Sequence, residues 1–441
     1  MIQRIASVLS VVLLASQLAA CSGAPGGDGS ETTEAADSTK APGAGAQMND
    51  LSILYPLATT KTQMKGYLTP ASTAAGQALL PEALFDRVMG IAPAAGADDT
   101  NDGTEDTEGL VPGASPQMAY ADMKVVGFRL DPCFANLGPV VDESTCQNQL
   151  RLIFQSVTLT KGTPTAVDGA VHVFYSLTRP ELTAAVNEVI AAREANDSTS
   201  SDLGPLAVHP LVVKQGLGGS MSTALNAIVL KYASSANIVR MTEFLAGNLD
   251  TAWSFSGIDV VSGEATQMDI ATLPRGATNE SFALGFGALL SVASFTPSTT
   301  AKDDMQILVN STAAAAATPA AQKAAFEATL RIQNPTFDSP NTMDCASCHT
   351  AEAAQVVVGQ GKLGFSPIGD PNAFVADPAF VSAADMKRTT PITATSAFNL
   401  HAFSYSGESA MISQRVVNET AALVAYVNGT VLPAATATDA Q

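Results

Sequence analysis

Five consecutive residues, Cys345-Ala346-Ser347-Cys348-His349, restrict what this chain can become more than any other stretch. Two thiols stand two residues apart and an imidazole follows at once. A zinc site needs two further ligands, usually a second C-x-x-C or a His pair, and the sequence supplies none beside these. A thioredoxin-like dithiol needs a surrounding βαβ pattern, whereas a Pro-containing loop precedes Cys345. An iron–sulfur cluster needs four thiols. The pattern C-x-x-C-H attaches haem c: the thiols add to the two porphyrin vinyl groups and the next residue offers its imidazole to the iron. The motif therefore predicts one covalent haem c, anchored by Cys345 and Cys348, with His349 as the proximal iron ligand.

Covalent haem attachment takes place outside the cytoplasm, and the N-terminus carries an export pattern. Arg4 is followed by an apolar run, Ile5 to Ala20, too short to span a bilayer comfortably. It ends in Leu18-Ala19-Ala20-Cys21, which resembles the lipobox of bacterial lipoproteins at all four positions. The resemblance implies that residues 1–20 are removed and that Cys21 becomes a lipidated N-terminus, with Ser22 rather than Asp directing it to the outer membrane. Two or more acyl chains make a stable anchor, and no other stretch is apolar and long enough to cross a membrane. The remaining cysteines, Cys133 and Cys146, stand in a loop-like segment and are expected to form a disulfide, worth about 3 kcal/mol in the chain-entropy description.

The chain has 441 residues, of which 46% are hydrophobic and 14% charged, a balance that suits a folded core. Its net charge of −19 argues against nucleic acid, whose phosphates need clustered Lys and Arg, and leaves room for a charge-complementary protein. Residues 21–48, rich in Gly, Ala, Ser, Thr and acids, are expected to be a flexible tether. A mixed α+β body should follow over 49–310. Strands are expected at Met123–Leu130, Leu150–Leu159, Ala170–Leu177 and within Ala252–Ile270, and helices at Pro180–Ala195 and Ser222–Tyr232. The acidic run Asp98–Glu108 fits no EF-hand frame and reads as a solvated loop. The run Gly216-Leu217-Gly218-Gly219-Ser220 lacks the P-loop lysine and reads as a turn. No catalytic triad, metal cluster or cofactor fingerprint is found in this body. His172, in a strand, and His209, before Pro210, read as packing or surface residues. An Ala-rich helix, Ala313–Ile332, is stopped by Pro335 and Pro340 and opens the last segment, 311–441.

That last segment resembles a class I cytochrome c domain. The likeness rests on Cys345–His349, on a helical Thr350–Val358, and on a closing helix, Ser413–Asn428, that turns Val416, Leu423 and Val427 to one side. It departs from the family in having Pro340-Asn341 where a Gly and an aromatic usually stand, and in a longer connection from Gly359 to Ser406. The resemblance implies an α+β chain in which an all-α cytochrome c-like domain follows the mixed body. For the sixth iron position Met411, just before the closing helix, competes with His401, with Met386 and with an open site. The function expected is that of an outer-membrane-anchored single-electron carrier serving an exported redox partner. A haem-dependent sensor or binding lipoprotein, and an oxidoreductase with its catalytic centre in 49–310, are the competing functions. If Cys21 carries the anchor, the protein should incorporate labelled palmitate and sediment with membranes, and Cys21→Ser should lose both.

Overall fold

The computed structural model describes residues 45–74, 76–90, 118–132, 147–197, 202–246, 252–270, 279–284, 292–295, 303–340, 342–389, 392 and 401–432. The leader, Cys21, most of the tether, the acidic run 98–108 and the pair Cys133 and Cys146 lie outside the described residues.

Alternating side chains make the strands, and the strands make one sheet. It runs β1 (Ser52–Leu54), β2 (Met123–Asp131), β3 (Asn148–Thr160), β4 (Thr163–Ala166), β5 (Gly169–Leu177), β6 (Ile238–Ala246), β7 (Ala252–Val261), β8 (Glu264–Gln267), β9 (Asn279–Leu284) and β10 (Val292–Phe295). The main spatial order is β1-β2-β3-β5-β6-β7-β9-β10; β4 pairs with β3 and β8 with β7. Every pairing is antiparallel, so short turns suffice between neighbours. The β4–β5 and β3–β4 connections show this economy, with Lys161 and Gly162 both at positive φ in the latter turn.

Strand β5 shows what each face of the sheet meets. Val171, Val173 and Tyr175 are fully buried in the main core. That face is covered by α1 (Arg179–Asn196) and α3 (Ser220–Tyr232), with the shorter α2 (Pro210–Gln215) between them in sequence. Helix α1 opens with a reciprocal cap between Thr178 and Glu181 and buries Leu182, Val186 and Val189. Full burial of each such aliphatic side chain stabilises the fold by about 1.5–3 kcal/mol. The expected strands and both expected helices of this body are thus present within a residue or two of their anticipated limits. The Gly216–Ser220 run is the turn between α2 and α3, with Gly216 and Gly218 at positive φ.

The opposite face of the sheet is covered as well, and this corrects the expected fold class. The protein is a mixed α/β fold dominated by its large antiparallel sheet; the C-terminal helices are short and form no all-α cytochrome c-like domain. The Ala-rich stretch is two helices, Ser311–Ala316 and α4 (Pro319–Ile332), because Thr318 caps a new start and Pro319 fills its first turn. Helix α5 (Cys345–Ala353) runs on as a π-helical turn, Ala354–Gln360, where Gly359 lets the chain lie on the Phe326 ring of α4. A Cβ on Gly359 would stand 2.4 Å from that ring. Between α5 and the last helix lies an unforeseen hairpin, β11 (Phe403–Ser406) and β12 (Ser409–Ile412).

The closing helix α6 (Gln414–Tyr426) does bury Val416 and Leu423, and Val427 follows it into the core. Their core, however, is that of the N-terminal body. Ser52 Oγ lies 2.8 Å from Thr420 Oγ1, and Tyr405 donates to the carbonyl of Tyr55 at 2.6 Å. A helix of 13 residues with a sheet edge beside it buries its apolar side there rather than across α5. Among the described residues no helix is long and apolar enough to cross a membrane.

Burial also leaves a pH signature. Desolvation pushes the Glu243 carboxyl on β6 up to about 8, although Ser256 donates to it; Asp50 and Glu352 are raised too, to about 6 and about 7. A raised folded-state pKa means that the folded protein keeps a proton which the unfolded chain releases near pH 4.5. Stability from Glu243 is then complete below that pH and declines until about pH 8, with a slope of at most about 1.4 kcal/mol per pH unit. Urea midpoints measured from pH 5 to 8 should fall, and Glu243→Gln should flatten the part between pH 7 and 8. An unchanged profile in that variant would contradict this origin.

Candidate functional site

Helix α5 is placed by its first turn. Asp344 is its N-cap and accepts from the Ser347 amide at 2.7 Å, which fixes where the helix begins and turns Cys345, Cys348 and His349 to one side. Its apolar side, Ala346 and Ala351, enters a second core cluster with Phe326 of α4 and with Phe244, Trp253 and Phe255 of the sheet. The motif is thereby held against strands β6 and β7.

Between them lies a cavity of about 770 Å³, within the range of about 300–1,000 Å³ that cofactor and ligand sites occupy. Cys345, Cys348 and His349 line one side. The sheet lines the other in three registered rows. One row runs Arg129, Arg151, Phe174, Arg240, Asp259 across β2, β3, β5, β6 and β7. The middle row is Gly127, Ile153, His172, Thr242, Gly257, and beyond it lie Ala170, Phe244 and Phe255. The hairpin segment His401–Ser404 and the helix residues Arg415, Val416 and Glu419 close the ends.

The walls are chemically divided. The His349 ring stacks on Phe244 with centroids 5.5 Å apart and meets Phe255 at 5.0 Å, so its position is set by aromatic packing. The other end is charged. Arg129 lies 3.0 Å from Glu419 and 3.2 Å from Asp131, and Arg151 lies 3.1 Å from Asp131. Arg415 reaches Glu419 at 2.7 Å and donates to the carbonyls of Ile332 and Asp338. Burial alone would raise Glu419, but Arg415, Arg129 and Arg151 together hold it at about 2. This cluster carries three guanidiniums against two carboxylates, with Asp344 close by on the α5 cap.

Neither cysteine is in a disulfide, and both are half-buried. Burial, reinforced by Glu419 and Asp344, pushes the Cys348 thiol up to about 12, against the pull of Arg415 and Arg151. A redox-active dithiol depends on a lowered thiol pKa, and Cys348 is shifted the other way. Among the described residues no three His, Cys, Asp or Glu side chains come together as a cage for a bare metal ion.

The sixth-ligand candidates separate clearly. His401 lines the cavity, but its Nε2 is 2.5 Å from Asp168 Oδ1 and its Nδ1 2.6 Å from Ser404 Oγ. Met411 is buried on β12 in register with Ser404 and does not border the cavity. Met386 lines a different depression with Arg388 and Gln414. The cavity instead receives His172, Met268 and Met343. Burial, then Arg151 and His349, lowers the His172 pKa well below its usual value and keeps the ring neutral. His209 is remote from the cavity: it caps α2, its Nδ1 accepting from Val212.

From the sequence His172 reads as a packing or surface residue. The signal that could have found it is the β5 alternation, which puts a polar ring on the same face as Ala170 and Phe174. Arg129, Arg151 and Arg415 were not singled out either, since single arginines in a strand or helix carry no spacing pattern.

No known family, no curated protein and no solved structure matches the chain. The site is therefore judged on its own chemistry. Two thiols and an imidazole open onto one cavity of cofactor size, aromatic on one side and cationic at one end, and these residues fit a covalently held haem. Since Asp344 fixes the start of α5, Asp344→Ala should cost about 1 kcal/mol of stability, the usual worth of an N-cap, and Asp344→Asn should recover most of it in a denaturant titration.

Proposed function

We propose that this chain carries one haem c in the cavity between α5 and the sheet and serves as an exported, lipid-anchored single-electron carrier. The observation that carries the reading is that Cys345, Cys348 and His349 all line one cavity of about 770 Å³. Haem, when bound, supplies a one-electron couple at its iron. The chain's residues do the rest. Cys345 and Cys348 are the thioether anchors. His349 is the proximal ligand, oriented by Phe244 and Phe255. Phe174, Val260 and Met268 add apolar wall to the cavity. The guanidiniums of Arg129, Arg151 and Arg415 favour an electron-rich guest at their end of the cavity.

Export follows from the leader and the lipid anchor from Leu18–Cys21, with the outer membrane as the destination implied by Ser22. A redox partner is required by the function, because a carrier with no electron donor and acceptor does nothing. The net charge of −19 favours a partner with a basic docking face. No nucleic-acid partner is proposed.

Expressed with a haem-attachment system, the protein should keep its haem through acid–acetone extraction and denaturing electrophoresis. Replacing both Cys345 and Cys348 by Ala should remove it entirely, and either single change should leave a weaker, one-bond attachment. A haem that stays covalent in the double variant, or a wild type that never takes one up, would sink the proposal.

A further inference from the structure

We infer that His172, projecting from the middle of the sheet, is the second protein ligand of the haem iron, on the side opposite His349. The inference rests on the haem reading above and names a residue that the sequence alone marks as packing or surface.

The cavity has two walls, and the second axial ligand must come from the wall that does not carry the anchors. Met343 stands two residues before Cys345 and belongs to the anchor wall. His401 is held through both ring nitrogens, by Asp168 and Ser404, and would have to give up a 2.5 Å contact to a carboxylate. Neither ring nitrogen of His172 makes a hydrogen bond with a described residue, although the ring opens onto the cavity. An imidazole whose nitrogens face the cavity and are not engaged by a side chain is available to a metal ion.

The surroundings of His172 fit that task. Its register neighbours on β6 and β7 are Thr242 and Gly257, with the Met268 methyl lying over Gly257. Larger groups flank this row: Phe174, with the Arg151 guanidinium 4.8 Å over its ring, on one side and Phe244 with Phe255 on the other. A flat group lying between them meets His172 near its centre. Strand β5 is paired on both sides, by β3 and β6, so the imidazole stands on a rigid element, as a ligand of fixed geometry requires.

Met268 is the rival on the same wall. Its terminal methyl lies 3.0 Å from where a Cβ on Gly257 would stand, which packs its thioether down onto the β7 backbone. Two imidazoles give a lower potential than an imidazole with a thioether, so the choice between them sets which partners the carrier can reduce. A filled sixth position resists small gaseous ligands, which suits a carrier better than a ligand sensor.

The test uses the matured full chain with its thioether-bound haem. Electron paramagnetic resonance and near-infrared magnetic circular dichroism of the oxidised wild type should show low-spin iron with two imidazoles and no sulfur–iron band. His172→Ala should keep its covalent haem, become high-spin, bind carbon monoxide when reduced, and return to low-spin on addition of imidazole. His401→Ala should keep the two-imidazole, low-spin signature, and the absence of a sulfur–iron band in the wild type decides against Met268. A sulfur–iron band in the wild type overturns the inference, as does a high-spin wild type, a low-spin His172→Ala, or loss of the low-spin state in His401→Ala. If His172→Ala fails to fold, the wild-type spectrum and His401→Ala still decide together: a two-imidazole signature that persists without His401 leaves His172, since His209 caps α2 away from the cavity. A covalent haem with another ligand pair removes this inference alone, whereas a wild type with no covalent haem removes the haem reading with it.

Discussion

The buried contacts of Arg415 and Glu419 hold the two halves of the site together. Glu419 of α6 meets Arg129 on the sheet at 3.0 Å, and Arg415, one turn earlier, takes the carbonyls of Ile332 and Asp338 just ahead of the α5 cap. One helix turn thus joins the sheet to the segment that delivers Cys345. Such a buried network adds little net stability compared with an apolar replacement of the same shape, yet removing one member strands the others, at a cost of about 3–5 kcal/mol. What it supplies is position. Two cationic groups fixed on both sides of one carboxylate leave α5 few alternative seats over the sheet.

The second constraint is a sheet covered on both faces. Leu152, Val173 and Met241 fill the face under α1 and α3, while Ile153, His172 and Thr242 look the other way, into the cavity. Because side chains alternate with period two, each inward residue of one face fixes an inward residue of the other. A polar ring such as His172 is therefore carried into the interior by its apolar neighbours Val171 and Val173.

Much of this was legible in the chain. The strands expected at 123–130, 150–159 and 170–177 announced themselves by alternation, and α1 by its Leu182-Val186-Ile190 spacing. The C-x-x-C-H spacing marked the site residues that do line one cavity. Three things were not legible, each for a physical reason. Local pattern states that Val416 and Leu423 are buried but not against what, and the sheet edge, not α5, receives them. The hairpin 403–412 had its signals, Phe403 and Tyr405 alternating ahead of Gly407, but its first strand fell at the end of the stretch Gly359 to Ser406 that read as a long connection. The position of Met411 before the closing helix pointed to the iron by analogy with an all-α domain, and in a sheet-dominated fold that position faces elsewhere.

The account stands on one central claim, that Cys345 and Cys348 are consumed by a single haem. Mass spectrometry of the proteolytic peptide containing residues 345–349, from protein matured in an exporting host and treated with a thiol-alkylating reagent, reads this directly. The account predicts a peptide heavier by one haem, with neither cysteine alkylated. An unmodified peptide with both thiols alkylated, from cells that attach haem to a control cytochrome, would contradict it.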